Sequence, residues 1–179
     1  PGGLALAQAR ALERPRVDDH LHLAERLPVL AGDAPADRRR ALHLDGADQL
    51  EDRCIHYRVQ DQAIFKGKRV AILGGGDSAL DWALALGPEA AALTLIHRRD
   101  DYRAAPASVA QLKARAASGA VEIIESANAT ALRLDGDRLT GLELAVKDGG
   151  SRVLDVDHLL VFFGLSPKLG PIAEWGLTL

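Results

Sequence analysis

Two stretches of the chain have residue types and spacing suited to holding phosphate. The first, Gly74-Gly75-Gly76-Asp77-Ser78-Ala79, fits the pattern G-x-G-x-x-A. In that pattern the first glycine allows a tight turn from strand to helix. The second clears room for a pyrophosphate against the backbone, and the small last residue lets the helix lie close to the sheet. N–H groups and the dipole of the helix's first turn then hold the phosphates. The plainer alternative is a glycine-rich turn that binds nothing; a strand before it and a helix after it weigh against that. The second stretch is His97-Arg98-Arg99, with Arg103 a few residues on. In an NAD site an Asp or Glu about 20 residues past the glycines accepts from the ribose 2′-OH. A carboxylate there would repel a 2′-phosphate, whereas guanidinium forks grip one bidentately. The arginines therefore predict NADP(H). The bland alternative is solvated surface charge, and Asp100 and Asp101 are placed to pair with one arginine.

The surrounding pattern supplies the elements that must carry these residues. Arg69–Leu73 is a β-branched run ending in the three glycines, which reads as a buried strand and a tight turn. Asp77 and Ser78 are good N-cap types, and the Ala/Leu-rich run after them reads as a helix stopped by Gly87-Pro88. Ala92–His97 reads as a second strand, which completes a β-α-β unit and implies a parallel sheet. Ser108–Gly119 reads as a helix with a serine cap and a glycine stop, and residues 121–126 as a third strand. Residues 130–156 then form short alternating strands around the turns Asp135-Gly136-Asp137-Arg138 and Asp148-Gly149-Gly150, a β-meander in place of another crossover helix. His158–Gly164 is an apolar closing strand. The fold class expected is α/β: a Rossmann-like NAD(P)-binding domain with a parallel sheet of about four strands, flanking helices and a β-meander crossover.

Bulk properties narrow the function classes. A net charge of −3 gives no field to attract nucleic acid or an anionic membrane. No apolar run approaches the roughly 20 residues of a spanning helix, and no signal-peptide pattern opens the chain. One cysteine, Cys54, excludes an internal disulfide, so a cytoplasmic setting is expected. Methionine is absent even at position 1, from which a fragment or processed chain is expected. Residues 1–45, rich in Ala, Arg, Asp and Pro, lack a clean period and read as partial helix and loop. The expected division is a poorly defined segment over 1–45, a nucleotide-binding domain over 46–165 and a return segment over 166–179.

Gly74–Leu84, Leu95–Ala104, the leader Ile55–Val59 and the closing stretch Leu159–Leu177 together resemble the NADPH-binding domain of thioredoxin-reductase-like flavoproteins. Within that superfamily they look most like the ferredoxin(flavodoxin)–NADP reductases, over roughly residues 38 to 179. The resemblance implies a domain inserted between two segments of an FAD domain, with hydride passing between NADPH and FAD and ferredoxin or flavodoxin as electron acceptor of the full enzyme. It implies Gly74, Gly75, Gly76, Asp77, Ser78 and Ala79 at the pyrophosphate, and His97, Arg98, Arg99 and Arg103 at the 2′-phosphate and adenosine. Gly164 and Pro167 would shape the turn back to the flavin domain. FAD itself is expected to be held elsewhere in the full enzyme, leaving this chain inactive alone. Thioredoxin reductases carry a redox Cys-x-x-Cys just upstream of the glycine turn. Here Arg58 and Asp61 stand in the two cysteine places, which argues against dithiol chemistry. A thioredoxin-reductase-like domain and a non-catalytic NADP(H)-binding module stay as alternatives, and homodimerisation stays open.

Other candidates read as structural. His20 and His22 could share a strand face and ligate zinc, but no further ligand pair lies nearby in sequence. Ser78 and Ser108 lack a G-x-S-x-G elbow. Cys54 reads as a small packed residue, Trp82 as core or interface, Trp175 as packing against a flavin domain, and Arg38-Arg39-Arg40 as a solvated run. No catalytic residue and no metal ligand is assigned.

Overall fold

The computed structural model describes residues 41–147 and 149–164. The expectations for residues 1–40, among them His20, His22 and Arg38-Arg39-Arg40, and those for Pro167 and Trp175 lie outside the described residues.

The described chain begins with a short helical turn at Asp48–Leu50 and strand β1 (Ile55–His56), then a second turn at Gln62–Phe65. Strand β2 (Arg69–Gly74), helix α1 (Asp77–Leu86) and strand β3 (Ala92–Ile96) form the expected β-α-β unit. Helix α2 (Pro106–Ala117) and strand β4 (Glu122–Ile124) follow. Strands β5 (Ala127–Asp135), β6 (Arg138–Val146) and β7 (Ser151–Asp155) make the meander, and β8 (His158–Phe162) closes the sheet.

The main sheet is wholly parallel in the order β1-β8-β2-β3-β4. It has five strands where about four were expected. The extra member, β1, is the two-residue leader strand, paired with β8 at Ile55–Leu159 and His56–Leu160. The chain leaves β2 in one direction through β3 and β4, then returns to the other side of β2 with β8. The strand order therefore reverses at β2, and in open α/β sheets ligands bind outside the carboxyl ends of the strands at such a reversal. The glycine turn lies there.

Side chains alternate between two cores. Ala71, Leu73, Ile96, Leu159 and Val161 face the meander, packing on Leu139, Leu142, Leu144 and Leu154. Val70, Ile72, Leu93, Leu95 and Leu160 face the helices, against Ala79, Leu80, Ala83, Leu86 and Leu112. Both helices thus flank one face, and the meander covers the other. A strand buried on both faces needs a continuous apolar run, and Val70–Leu73 is one. The meander is a three-stranded antiparallel sheet, β5-β6-β7. Its first hairpin closes at Asp135–Arg138 over Gly136-Asp137, with Gly136 at φ +61.

Two helix starts differ from expectation. α2 begins at Pro106, not at Ser108, with Ala105 as N-cap. Proline fits the first helical position, where its missing N–H is no loss. Gly76, not Asp77 or Ser78, is the N-cap of α1, and no side chain caps it. Residues 121–126 yield only the three-residue β4, because Ser126 turns at φ +53 to start the meander.

At the opposite end of the sheet, Arg69 and Asp157 clasp the first residue of β2 to the entry of β8. Arg69 Nε and Nη2 donate to the two carboxylate oxygens at 3.1 and 2.7 Å, and the Arg69 backbone N–H donates at 2.9 Å. That fork holds the Asp157 carboxyl down at about 2.

Candidate functional site

Each glycine of the turn has a separate physical task. A Cβ on Gly74, at φ +155, would sit 2.6 Å from the Phe162 carbonyl oxygen and 2.9 Å from the Ala79 Cβ. Only glycine lets β2, β8 and α1 meet this closely, and the small Ala79 completes the contact. A Cβ on Gly75 would overlap the His97 ring. A Cβ on Gly76 would meet nothing within 4 Å. The first two glycines thus serve the fold, whereas Gly76 borders open space at the start of α1. There no side chain caps the helix start, and Ser78 is exposed. An anion could approach this backbone as closely as a pyrophosphate requires.

The cation loop is stitched to the glycine turn by hydrogen bonds. Arg103 N–H donates to the Gly75 carbonyl at 2.8 Å. The Asp77 carboxylate accepts from the Ala105 N–H at 2.7 Å, so it ties the two loops together and does not cap its own helix. His97 stacks on Tyr102 with ring centroids 5.4 Å apart, and its Nε2 lies 2.8 Å from the Asp101 carbonyl. The Tyr102 hydroxyl in turn donates to Glu125 Oε1 at 2.7 Å. Burial first, and then that carboxylate, push the phenol's pKa above its ordinary value. Asp81, half-buried one turn behind Asp77, is likewise raised by burial and then by the Asp77 charge.

Arg98, Arg99 and Arg103 are exposed at the carboxyl end of β3. None has a carboxylate within 4.0 Å among the described residues, so the pairing with Asp100 or Asp101 that the sequence left open is not formed. A pocket of about 360 Å³ gathers Arg98, Arg99, Asp100, Asp101, Ser126, Asn128 and Lys147. Arg103 is not among its lining residues; its backbone belongs to the glycine-turn side. Sequence reasoning had no local signal for Ser126, Asn128 or Lys147, which come from the far side of the β4–β5 bend and from the end of β6. Gly164, at φ +80, follows β8 in the left-handed region; the rest of the turn expected there lies outside the described residues.

Of the two residues expected to stand in cysteine places, Asp61 has a local structural task. Asp61 Oδ1 accepts from the Ala63 N–H at 2.9 Å and caps the turn at Gln62–Phe65. Arg58 is half-buried. Cys54 packs against the meander-side core, and Trp82 against the helix-side core. Among the described residues no group of three or more metal-ligating side chains occurs, and no helix is long and apolar enough to cross a membrane.

Comparison with known proteins places this geometry. The family model for pyridine nucleotide-disulphide oxidoreductases matches residues 25–179. A ferredoxin–NADP reductase of Albidiferax ferrireducens is 47% identical over 154 residues, covering 84% of this chain and 43% of that protein. Ferredoxin–NADP reductase 2 of Cupriavidus taiwanensis is 48% identical over 140 residues, covering 78% of this chain and 38% of its own length. Among solved structures, T. acidophilum thioredoxin reductase superposes with TM-score 0.67 at 25% identity, over 78% of this chain and 45% of its own. Lactococcus lactis thioredoxin reductase superposes at 0.65 with 26% identity, over 78% and 46% respectively. The chain thus spans less than half the length of the relatives it matches.

Proposed function

Since the chain belongs to the pyridine nucleotide-disulphide oxidoreductase family, we propose that its glycine turn and cation loop bind NADP(H) for hydride exchange with a flavin, as the nucleotide domain of a ferredoxin–NADP reductase-like enzyme. Gly76 carries the reading: its missing side chain opens onto free space at a helix start that no side chain caps, where no contact of the fold requires a glycine. Gly74, Gly75 and Ala79 shape that turn, and Gly76, Asp77 and Ser78 border the pyrophosphate. Arg98, Arg99 and Arg103 supply charge for the 2′-phosphate, and His97 sets their loop against the turn. Gly164 shapes the chain where it leaves the sheet.

NADPH and FAD together supply the redox step, and the residues described here bind and orient the nucleotide. The flavin is read as held chiefly by other parts of the enzyme, with residues 46–165 as the nucleotide-binding unit and ferredoxin or flavodoxin as the final acceptor. A cytoplasmic location follows the same reading. Thioredoxin-reductase chemistry is disfavoured by Arg58 and Asp61, since Asp61 is occupied as a helix cap in a place where dithiol exchange needs a thiol.

Calorimetric titration of the purified chain with NADPH and NADH tests the reading. NADPH is expected to bind more tightly, and Arg98→Ala to weaken NADPH selectively by at least about 1 kcal/mol. Equal affinities for the two nucleotides would sink it. Flavin absorbance and NADPH oxidation with an added acceptor separate an active enzyme from a silent binding module.

A further inference from the structure

The meander does more than connect β4 to β8. Its β6 ends next to the cation loop, and three backbone hydrogen bonds hold it there. Ala127 N–H donates to the His97 carbonyl at 3.1 Å, Ser126 N–H to the Arg99 carbonyl at 3.3 Å, and Lys147 N–H to the Ser126 carbonyl at 3.0 Å. The positive φ of Ser126 lets one residue face both sides of this seam. The Lys147 backbone is thereby anchored at this seam, and the residue lines one pocket with two arginines that stand nearly fifty residues earlier in the chain.

The pocket's charge balance turns on that lysine. Arg98 and Arg99 are offset by Asp100 and Asp101, so without Lys147 the titratable lining is neutral. With it the lining is net cationic. Lys147 has no carboxylate within 4.0 Å among the described residues, as Arg98 and Arg99 have none. Ser126 and Asn128 add neutral hydrogen-bonding groups. Three cations without an ion-pair partner among the described residues, and two neutral polar groups, line one open pocket; such a lining suits a phosphate monoester on a sugar, where each N–H···O bond to the dianion is charge-assisted.

We propose that Lys147 is a further binding residue for the 2′-phosphate and a determinant of NADP(H) over NAD(H). This rests on the reading of Arg98 and Arg99 as the 2′-phosphate site. The meander then has a functional reason to replace a crossover helix, because the bend at Ser126 brings the end of β6 to the loop that follows β3.

The test is calorimetry of the 179-residue chain with NADPH, NADH and adenosine 2′-phosphate, for the parent, Lys147→Gln, Lys147→Glu and Arg98→Ala. Lys147 is exposed, so its variants keep the fold. Lys147→Gln is expected to weaken NADPH and adenosine 2′-phosphate about three- to tenfold, and NADH by less than about twofold. Lys147→Glu, which makes the lining net negative, is expected to weaken NADPH further. Unchanged NADPH affinity in both lysine variants, with a selective loss in Arg98→Ala, would overturn the role of Lys147 and leave the NADP(H) reading standing. Equal losses for NADPH and NADH in Lys147→Gln would also overturn it. A parent chain that binds NADPH and NADH alike would instead remove the reading beneath it.

Discussion

The His97 imidazole occupies the space that a side chain on Gly75 would need. The ring is held there by stacking on Tyr102 and by the Asp101 carbonyl, so it cannot swing aside without losing both contacts. Gly75→Ala is therefore expected to overpack the junction of the two loops and cost about 1–3 kcal/mol of stability. Adding His97→Ala should restore much of that loss. Urea denaturation of the two variants measures both, and a Gly75→Ala protein as stable as the parent would refute the wedge.

Gly76 lacks any such neighbour. Gly76→Ala is expected to keep the fold, at a cost of no more than about 1 kcal/mol from the poorer helix cap. Its NADP(H) binding should nonetheless fall by about tenfold or more, since the new methyl stands between backbone and pyrophosphate. Stability and affinity measured on the same sample separate the two effects.

Asp77 joins α1 to the residue before α2 through the Ala105 N–H. Asp77→Ala leaves that donor unpaired and is expected to destabilise the chain by about 1 kcal/mol. Hydrogen exchange at Ala105 should quicken more than exchange in β2. Uniform exchange across the domain would count against a local role.

Acid should weaken this fold in two pH windows. His56 is buried against Phe65 and lies 3.1 Å from His158 through facing ring nitrogens. Burial first, and then the His158 charge, lower its pKa to about 4, and His158 is lowered too. The folded protein thus keeps these rings neutral while the unfolded chain takes up protons near pH 6.5. Stability is complete above that pH and falls as the pH drops towards about 4, by about 1–3 kcal/mol. Replacing both histidines by glutamine should flatten the slope in this window, as followed by denaturant titration at pH 7.5 and pH 5.

The lower window belongs to Asp157, whose carboxyl is held at about 2 by Arg69. Its contribution is present above the ordinary carboxylate value of 3.8 and is lost as pH falls through about 2. Asp157→Asn is expected to destabilise the chain by about 1–2 kcal/mol near neutrality. Little difference between variant and parent should persist at pH 2, and a difference that does persist would argue against the charge.

Much of the nucleotide unit was legible because its signals are local. The apolar run of β2, the glycines, the Ala/Leu helix and the run of β3 lie within about thirty residues, and each follows from period, turn chemistry or charge. The Asp-Gly turn of the first meander hairpin was equally readable. Helix starts were less so: Ser108 has the right chemistry for a cap, but Pro106 sits two residues earlier with its φ already set for the first helical position. The two-residue β1 was too short to carry a period at all.

The sequence by itself determined that a strand, a glycine turn and a helix follow one another, and that two arginines end the next strand where an acid would select NAD. Those facts depend on neighbours a few residues apart. Only the tertiary structure decided which glycine has open space beside it, because Gly74 and Gly75 are consumed by close approaches to Phe162 at the end of β8 and to His97 just past β3. Only the tertiary structure set Lys147 beside Arg98 and Arg99 and left Arg103 with the turn. Sheet pairing and the bend at Ser126 join residues far apart along the chain, and residue type and spacing carry no record of that closure.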